Sequence, residues 1–175
     1  GYAATRTRDI AEEAGINLAL LNYYFRSKEK LFEIVMLEKM EKYFGVLVPV
    51  LNDASTTLEN KVESIAAKYI DLVLANPEIP LFVLSELRNG PEHFIQLTQR
   101  AGFLNSEFMK QIKKKRPDIN PLHFFTSLLG MCVFPFLMRP VLQKMANMKD
   151  EAFHKLMLER KKLIPVWIKT ILKTK

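Results

Sequence analysis

The stretch TRDIAEEAGINLALLNYYF, residues 7–25, predicts two short helices, over 7–14 and 18–25. Thr7 is placed to cap the first helix, because its hydroxyl can accept a hydrogen bond from a free N–H of the first turn. Gly15 ends that helix, since glycine tolerates the left-handed conformation that follows many helices. Asn17 can cap the second helix. Two helices joined by so tight a turn have the spacing of a helix-turn-helix.

Apolar positions show how these two helices would pack. Ala11 is small, so the second helix can cross the first closely at that position. The side chains expected between them recur at helical spacing and are Ile10, Ala11, Ala14, Ile16, Leu21 and Phe25. The side chains left outside are Leu18, Ala19, Asn22 and Tyr23.

The rest of the chain is predicted to be helical nearly throughout. Ser27 can cap a long third helix that starts at Lys28 and ends near Pro49 or at 52–53. A capping box over Thr56–Glu59 then predicts a helix that runs to Ala75, and a helical segment follows over 79–88. The next helix starts at Pro91 and stops before Pro117. A helix from Pro121 is bent or broken at Pro135 and Pro140, and the last helix covers about 150–173. A change of composition near residue 50 predicts two domains, 1–48 and 49–175.

Composition sets limits on the class of protein. The chain has 175 residues, 49% of them apolar, and a net charge of +7. This charge alone does not indicate nucleic acid, because seven acids match the seven basic residues of 1–45. The longest apolar stretch, 128–138, is too short to span a bilayer, and no secretory signal is visible. The single Cys132, between Met131 and Val133, predicts a core residue and suits a reducing cytoplasm.

No catalytic or metal-binding set is apparent. The three histidines, His93, His123 and His154, have no ligand partner at helical i, i+4 spacing. There is also no glycine-rich phosphate loop and no nucleophile with an acid–base pair. We therefore expect neither an enzyme nor a bound cofactor or metal.

The opening residues resemble the signature of the tetracycline-repressor (TetR) family. The matching residues span about 1–35 and are Gly1-Tyr2, Thr7, Asp9-Ile10-Ala11, Ala14-Gly15-Ile16-Asn17, Leu21, Tyr24-Phe25, Ser27-Lys28-Glu29 and Leu31. This resemblance implies an all-α transcriptional regulator, commonly a repressor, with an N-terminal helix-turn-helix DNA-binding domain and a larger helical domain for ligand binding and dimerisation. In the family a further helix precedes the Gly-Tyr pair, so that first helix is expected to be missing here.

The same resemblance implies roles for individual residues on double-stranded operator DNA. Thr7 and Arg8 would contact phosphates, and Tyr24 and Lys28 would hold the backbone, with the start of the third helix as an anion site. Leu18, Ala19, Asn22 and Tyr23 would face bases or sugar-phosphate in the major groove, and Asn17 is a further candidate for DNA binding. Asn22 departs from the family, which usually has an aromatic residue there. An asparagine can bond N7 and N6 of adenine, so we take it as a hypothetical base reader.

For residues after 50 the resemblance implies an effector pocket and a homodimer interface. Candidates for the pocket, whose phenylalanines and methionines suit a lipophilic effector, are Tyr69, Phe82, Phe94, Phe103, Phe108, Met109, Phe124 and Met131. Candidates for the interface, on two apolar stripes, are Phe125, Leu129, Phe136, Leu156, Leu163, Ile164, Trp167 and Ile171. The pocket candidates can equally be read as ordinary core residues. For the two stripes a dimer contact of part of each is favoured over packing only in their own core, because a single helical layer cannot cover so many apolar residues.

Two other functions remain open at this point. The chain could be a helical binding or scaffold protein whose helix-turn-helix no longer contacts DNA, which the balanced charge of 1–45 would favour. It could also be an enzyme that uses the Phe/Met-rich cavity, although it lacks a candidate nucleophile. Steeply salt-dependent association with duplex DNA would separate the regulator from both.

Overall fold

The computed structural model describes residues 4–89 and 91–173, which form ten α-helices, one 3₁₀ turn and no strand. The helices are α1 (Thr7–Glu13), α2 (Leu18–Phe25), α3 (Lys28–Asn52), α4 (Leu58–Ala75), α5 (Ile79–Asn89), α6 (Glu92–Arg100), α7 (Glu107–Lys115), α8 (Pro121–Leu137), α9 (Arg139–Met145) and α10 (Asp150–Lys173). The all-α prediction is confirmed. The chain divides into two compact units, Gly1–Lys42 and Tyr43–Lys175, and the division falls inside α3.

The start of α1 differs from the prediction by one residue. Arg6 occupies the cap position and Thr7 is the first helical residue, so the predicted Thr7 cap is wrong. The backbone N–H of Arg6 donates to Asp9 Oδ2 at 3.1 Å. A carboxylate three residues after the cap is one half of a capping box, and here it places the helix start before the threonine.

The start of α4 also differs in detail. Thr57 is its cap, and the hydroxyl oxygen of Thr57 accepts from the N–H of Asn60 at 3.3 Å. The predicted capping box of Thr56 and Glu59 is therefore wrong. Thr56 donates its hydroxyl to the carboxylate of Asp53, and Glu59 accepts from a lysine of α7. The end of α4 at Ala75 is as predicted.

The single helix predicted after Pro91 is two helices, α6 and α7. Pro91 is the cap of α6 rather than its first helical residue. Gly102 breaks the helix with a φ of +59°, and a 3₁₀ turn over Phe103–Asn105 follows it. Ser106 then caps α7 by accepting from the N–H of Met109 at 3.4 Å. Continuous apolar spacing hid a break that one glycine makes possible.

The break predicted at Pro135 and Pro140 lies between them, at Met138, where α8 and α9 meet at 59°. Pro140 is tolerated because it lies in the first turn of α9, where its missing N–H has no helical partner to lose. Pro135 lies inside α8 and leaves the carbonyl of Met131, four residues earlier, without its helical donor. The Nε of Arg160 on α10 donates to that carbonyl at 2.7 Å. A side chain from a distant part of the sequence thus replaces the hydrogen bond that this proline removes.

The core of the second unit is centred on α4, which packs against α7, α8 and α10. The residues of α4 that lie inside recur at helical spacing and are Leu58, Lys61, Val62, Ile65, Ala66, Tyr69, Ile70 and Val73. All are apolar or aromatic except Lys61. Burial of apolar surface on this scale is the main stabilising contribution to such a unit.

Candidate nucleic-acid interface and sensor surfaces

The turn between α1 and α2 is a Schellman motif built on Gly15. The N–H of Gly15 donates to the carbonyl of Glu12 at 3.1 Å, and the N–H of Ile16 donates to that of Ala11 at 3.0 Å. Gly15 has a φ of +66°, which a residue with a Cβ adopts only with strain. These two bonds fix the angle at which the chain leaves α1 and enters α2.

Side-chain caps then start the next two helices. The Oδ1 of Asn17 accepts from the N–H of Leu20 at 2.6 Å, and the Oγ of Ser27 accepts from the N–H of Lys30 at 3.1 Å. Both predicted caps are confirmed. Because the oxygen of Asn17 already accepts the cap bond, its amide nitrogen is the freer group for another partner.

The helix-turn-helix buries Ala11 and Leu21 almost completely. The small Ala11 lets α1 and α2 cross closely, and the larger Leu21 fills the space between them. Ala14, predicted between the helices, is exposed instead, because it lies at the end of α1 where the chain turns away. Ile10, Ile16 and Phe25 are partly buried.

The outer surface of α2 carries most of the residues predicted to read DNA. Ala19 and Asn22 are exposed, Tyr23 is 79% exposed and Tyr24 68% exposed, whereas Leu18 is partly buried. The rings of Tyr23 and Tyr24 meet edge to face with their centres 5.5 Å apart. Two adjacent phenols in this geometry present hydroxyl groups and ring faces to solvent, and both can contact sugar and phosphate.

Basic residues flank this surface. Arg8 lies exposed on the first turn of α1, with the partly buried Thr7 beside it. Lys28 begins α3, and the N-terminus of that helix carries the positive end of its dipole. Arg26, exposed at the end of α2, has a φ of +62°, and its backbone N–H donates to Asn22 at 2.8 Å. Arg26 is not among the residues predicted from the sequence, although its position between two capped helices is a signal that could have identified it.

The residues predicted to line an effector pocket are mostly in the core. Tyr69, Phe82, Phe94, Phe108, Met109 and Phe124 are buried, and Phe103 and Met131 are partly buried. The ring centres of Phe108 and Phe124 lie 6.3 Å apart, and those of Phe103 and Phe125 lie 4.6 Å apart. Such contacts belong to a packed interior, so a ligand there would have to displace these side chains.

Beside this core lies a small group of polar side chains, of which Tyr69 and Cys132 are buried and Tyr43 is partly buried. The ring centres of Tyr43 and Tyr69 are 6.0 Å apart, and burial raises the pKa of both hydroxyls. Burial also raises the pKa of the Cys132 thiol to about 12. The thiol therefore stays protonated near neutral pH, and the prediction that Cys132 is a core residue is confirmed.

Lys61 is the most unusual charge in the core. It is fully buried, and its Nζ has no hydrogen-bond partner among residues 4–89 and 91–173. Two carboxylates near it are held by other donors, Asp53 by Ser55 and Glu107 by Lys110. Loss of hydration accordingly lowers the pKa of Lys61.

A groove of about 380 Å³ lies where α8 and α9 face α10. None of the predicted pocket residues lines it. Its lining is apolar apart from two adjacent charges and consists of Phe134, Pro135, Met138, Leu142, Leu156, Met157, Glu159, Arg160, Leu163 and Trp167. The sequence alone could not reveal this groove, because the residues that form it are up to 33 positions apart, from Phe134 to Trp167.

The predicted interface residues fall into two groups. Leu129, Leu163, Trp167 and Ile171 are exposed, and Phe125, Phe136 and Leu156 are partly buried. Ile164 is fully buried inside its own chain. Its assignment to a dimer contact is therefore wrong, because it has no surface left to offer a partner.

The described residues contain no group of three or more His, Cys, Asp or Glu side chains that could hold a metal ion, and His123 and His154 lie exposed. The side chain of His93 is outside the described part of the chain. No single helix within 4–89 and 91–173 is long and apolar enough to cross a membrane, whereas α8 and α9 pass that test only as a bent pair.

Comparisons with known proteins agree with this geometry. Residues 1–35 match the model for bacterial regulatory proteins, tetR family. The chain is 22% identical over 183 aligned positions to the "Probable HTH-type transcriptional regulator YttP" of Bacillus subtilis (strain 168), covering 99% of this chain and 87% of that protein. It is 31% identical over 102 positions to the HTH-type transcriptional repressor KstR2 of Mycolicibacterium smegmatis, covering about half of each.

A solved structure shares the fold. A transcriptional regulator of the TetR/AcrR family from Thermobifida fusca superposes with a TM-score of 0.59 at 16% identity, over 94% of this chain and 87% of that one. The helix-turn-helix, the helical unit that follows it and these relatives define a DNA-binding transcriptional regulator. Residues 1–35 match the tetR family of bacterial regulatory proteins, and nearly the whole chain is similar to a transcriptional regulator.

Proposed function

We propose that this regulator represses transcription by binding operator DNA as a homodimer and that a small effector releases it. In this proposal residues 1–48 are the DNA-binding domain and 49–175 the effector-binding and dimerisation domain. The observation that supports it best is the exposed surface of α2, held outward by the Gly15 Schellman motif and the Asn17 cap. A rigid support for an exposed helix is what a base-reading helix needs.

The DNA contacts we assign follow from exposure. Exposed Asn22 and Tyr23 on α2 would meet base edges or sugars, together with Ala19 and the partly exposed Leu18. Asn17 would contact DNA through its amide nitrogen. The residues assigned to phosphates are Thr7, Arg8, Tyr24 and Lys28, which lie on the flanks of this surface.

The homodimer would form through α8 and α10. Both helices expose large apolar side chains, which a soluble surface rarely gathers without a partner. The exposed apolar residues of α8, α9 and α10 are Leu122, Leu129, Phe134, Val141, Met145, Leu158, Leu163, Val166, Trp167 and Ile171. A two-fold axis would then present two copies of α2 to successive major grooves, about 34–36 Å apart.

Release would follow from a shift between two conformations. An effector that binds one of them more tightly changes DNA affinity by its differential binding free energy, typically about 1–3 kcal/mol. The side chains around Tyr69 and Phe108 suit a lipophilic effector, which would have to open the core to enter. The long α3 connects the two units covalently and is the natural route for this coupling.

Selection from random duplex DNA tests the proposal. The full-length protein is used, and the affinity for the enriched sequence is followed against salt. We expect a palindrome and an affinity that falls steeply with salt, because each phosphate contact releases counterions. If no sequence is enriched and binding is weak at low salt, the chain is a helical binding protein that keeps the helix-turn-helix only as structure.

A further inference from the structure

The groove between α8, α9 and α10 contains two opposite charges that do not pair with each other. Glu159 and Arg160 are adjacent on α10, and both line the groove. The ion pairs in the described part of the chain include neither of them. An acid and a base without ion-pair partners on an apolar surface are costly if that surface becomes buried, unless the surface that covers them supplies the opposite charges.

Arg160 is held in a fixed position. Its Nε donates to the Met131 carbonyl that Pro135 leaves without a helical donor, and its guanidinium carbon lies 5.1 Å from the centre of the Trp167 ring. Stacking on the ring and one backbone bond leave the terminal nitrogens of the guanidinium available for a carboxylate. Partial burial lowers the pKa of Arg160, which shows that its solvation is already incomplete.

The surroundings of this charge pair are apolar and exposed. Phe134 is 59% exposed and Leu163 43% exposed, and both border the groove together with Trp167. A small ligand that neutralised both charges would need a cation and an anion at matched spacing. A second copy of this chain carries both a cation and an anion. A two-fold axis that passes near Glu159 and Arg160 brings the acid of each copy opposite the base of the other.

We propose that the groove is a self-recognition site in which Glu159 of each copy pairs with Arg160 of the other, twice per dimer. This pairing rests on the proposed homodimer through α8 and α10. Glu159 and Arg160 are the residues that would make the groove selective for a second copy of this chain. The apolar rim would supply most of the affinity. The two ion pairs would set the register and reject relatives that lack the complementary charges.

Two charge reversals that complement each other test the pairing. Glu159→Arg places two arginines in each copy, and Arg160→Glu places two glutamates there. Each variant alone would face like charges across the axis, so we expect its dimer dissociation constant to rise on the order of 10- to 100-fold. An equimolar mixture should instead form a heterodimer, because both of its cross-pairs are again opposite in sign. Native mass spectrometry with one variant carrying a mass tag measures all three species.

Controls separate this pairing from general effects. Lys162→Glu makes the same charge change as Arg160→Glu two residues away on the exposed side of α10, and its dimer should be unchanged. The double variant Glu159→Arg/Arg160→Glu should recover a homodimer, and circular dichroism checks that each variant is folded. If Arg160→Glu does not fold, the weakening of the Glu159→Arg dimer decides alone.

The outcomes distinguish the two proposals. A wild-type protein that is monomeric at micromolar concentration overturns the homodimer and this inference with it. A dimeric wild type whose two variants dimerise as tightly, and mix in a statistical 1:2:1 ratio, leaves the homodimer standing and overturns the pairing. Weak homodimers of the two single variants together with a strong heterodimer establish the pairing of Glu159 with Arg160.

Discussion

The helix-turn-helix and the helical core after it differ in what determines their structure. In α1 and α2 only Ala11 and Leu21 are buried, and the geometry depends on a positive φ at Gly15 and on the caps Asn17 and Ser27. In the second unit α4 alone buries eight residues. A small motif with so little apolar burial needs specific residues at specific places, whereas a large core needs only apolar side chains of suitable size.

This difference explains why the two regions carry different information about function. Requirements for particular residues in the helix-turn-helix leave a signature of 35 residues that a family model can match. The core tolerates many apolar sequences, so its likeness to relatives falls to 22% or below over the whole chain. The second unit is therefore the part of the chain about which similarity to known regulators says least.

The largest effect should come from a charge on the apolar surface of α10. Leu163 is 43% exposed and borders the groove, so Leu163→Glu would bury an unpaired carboxylate in the proposed dimer. We expect the dimer dissociation constant to rise about 100-fold or more, measured by sedimentation over a range of concentrations. Leu81→Glu is the matched control, because Leu81 is 60% exposed on α5. Equal effects of the two substitutions would mean that α8 and α10 are not the interface.

Removing the one large buried side chain of the helix-turn-helix should have the next largest effect. Leu21→Ala leaves a cavity beside Ala11, and we expect a loss of about 2–5 kcal/mol from the stability of this motif. The loss of far-UV ellipticity should begin at a lower denaturant concentration than in the wild type. The unfolding transition seen by fluorescence of the single Trp167, in the second unit, should change little. Leu20→Ala, at a position 40% exposed, is the control. Coincident early transitions by both probes would show that the two regions do not unfold separately.

Much of the fold was predictable because the signals are local. The C-terminal end of α4, the ends of α10, the cap of α2 and the turn at Gly15 each depend on residues within five positions of one another. The position of the break between α8 and α9 was not predictable in this way. Pro135 stays inside a helix because Arg160, 29 residues past Met131, bonds the carbonyl that the proline leaves free.

The candidate sites show the same limit. The exposed surface of α2 could be derived from helical spacing, since it needs only one helix and its neighbour. The groove could not, because its residues come from three helices that meet only in the folded chain. The predicted effector pocket was read from the abundance of Phe and Met, and composition does not distinguish a cavity lining from a packed core.

Base reading by Asn22 is a smaller effect that tests how specific α2 is. We expect Asn22→Ala to lower discrimination at one base pair of the selected operator by about 1–3 kcal/mol, seen as a relaxed preference in competition binding. Lys28→Gln is the control. Loss of a phosphate contact should weaken binding to all sequences alike and reduce the slope of log affinity against log salt concentration by about 1. If Asn22→Ala binds more weakly but keeps the same preference, Asn22 is a backbone contact.

The smallest effect concerns Lys61, the one charged side chain that α4 buries. A buried ammonium without a partner costs stability, so Lys61→Met should raise the free energy of unfolding by about 1 kcal/mol. The substitution replaces the ammonium with a thioether of similar length, which fits among apolar neighbours. Lys68→Met, at a partly exposed position of the same helix, should change little.

The pH dependence of Lys61 gives a second readout with a definite sign. Its pKa in the folded chain is lowered, so between that value and the ordinary 10.5 the unfolded chain binds more protons. Raising the pH through this window should therefore stabilise the folded wild type, and Lys61→Met should lose that increase. If Lys61→Met is instead destabilised at neutral pH, the ammonium has a bound water or anion as its partner in solution. The core around α4 would then bind a polar group in addition to the apolar side chains that define it.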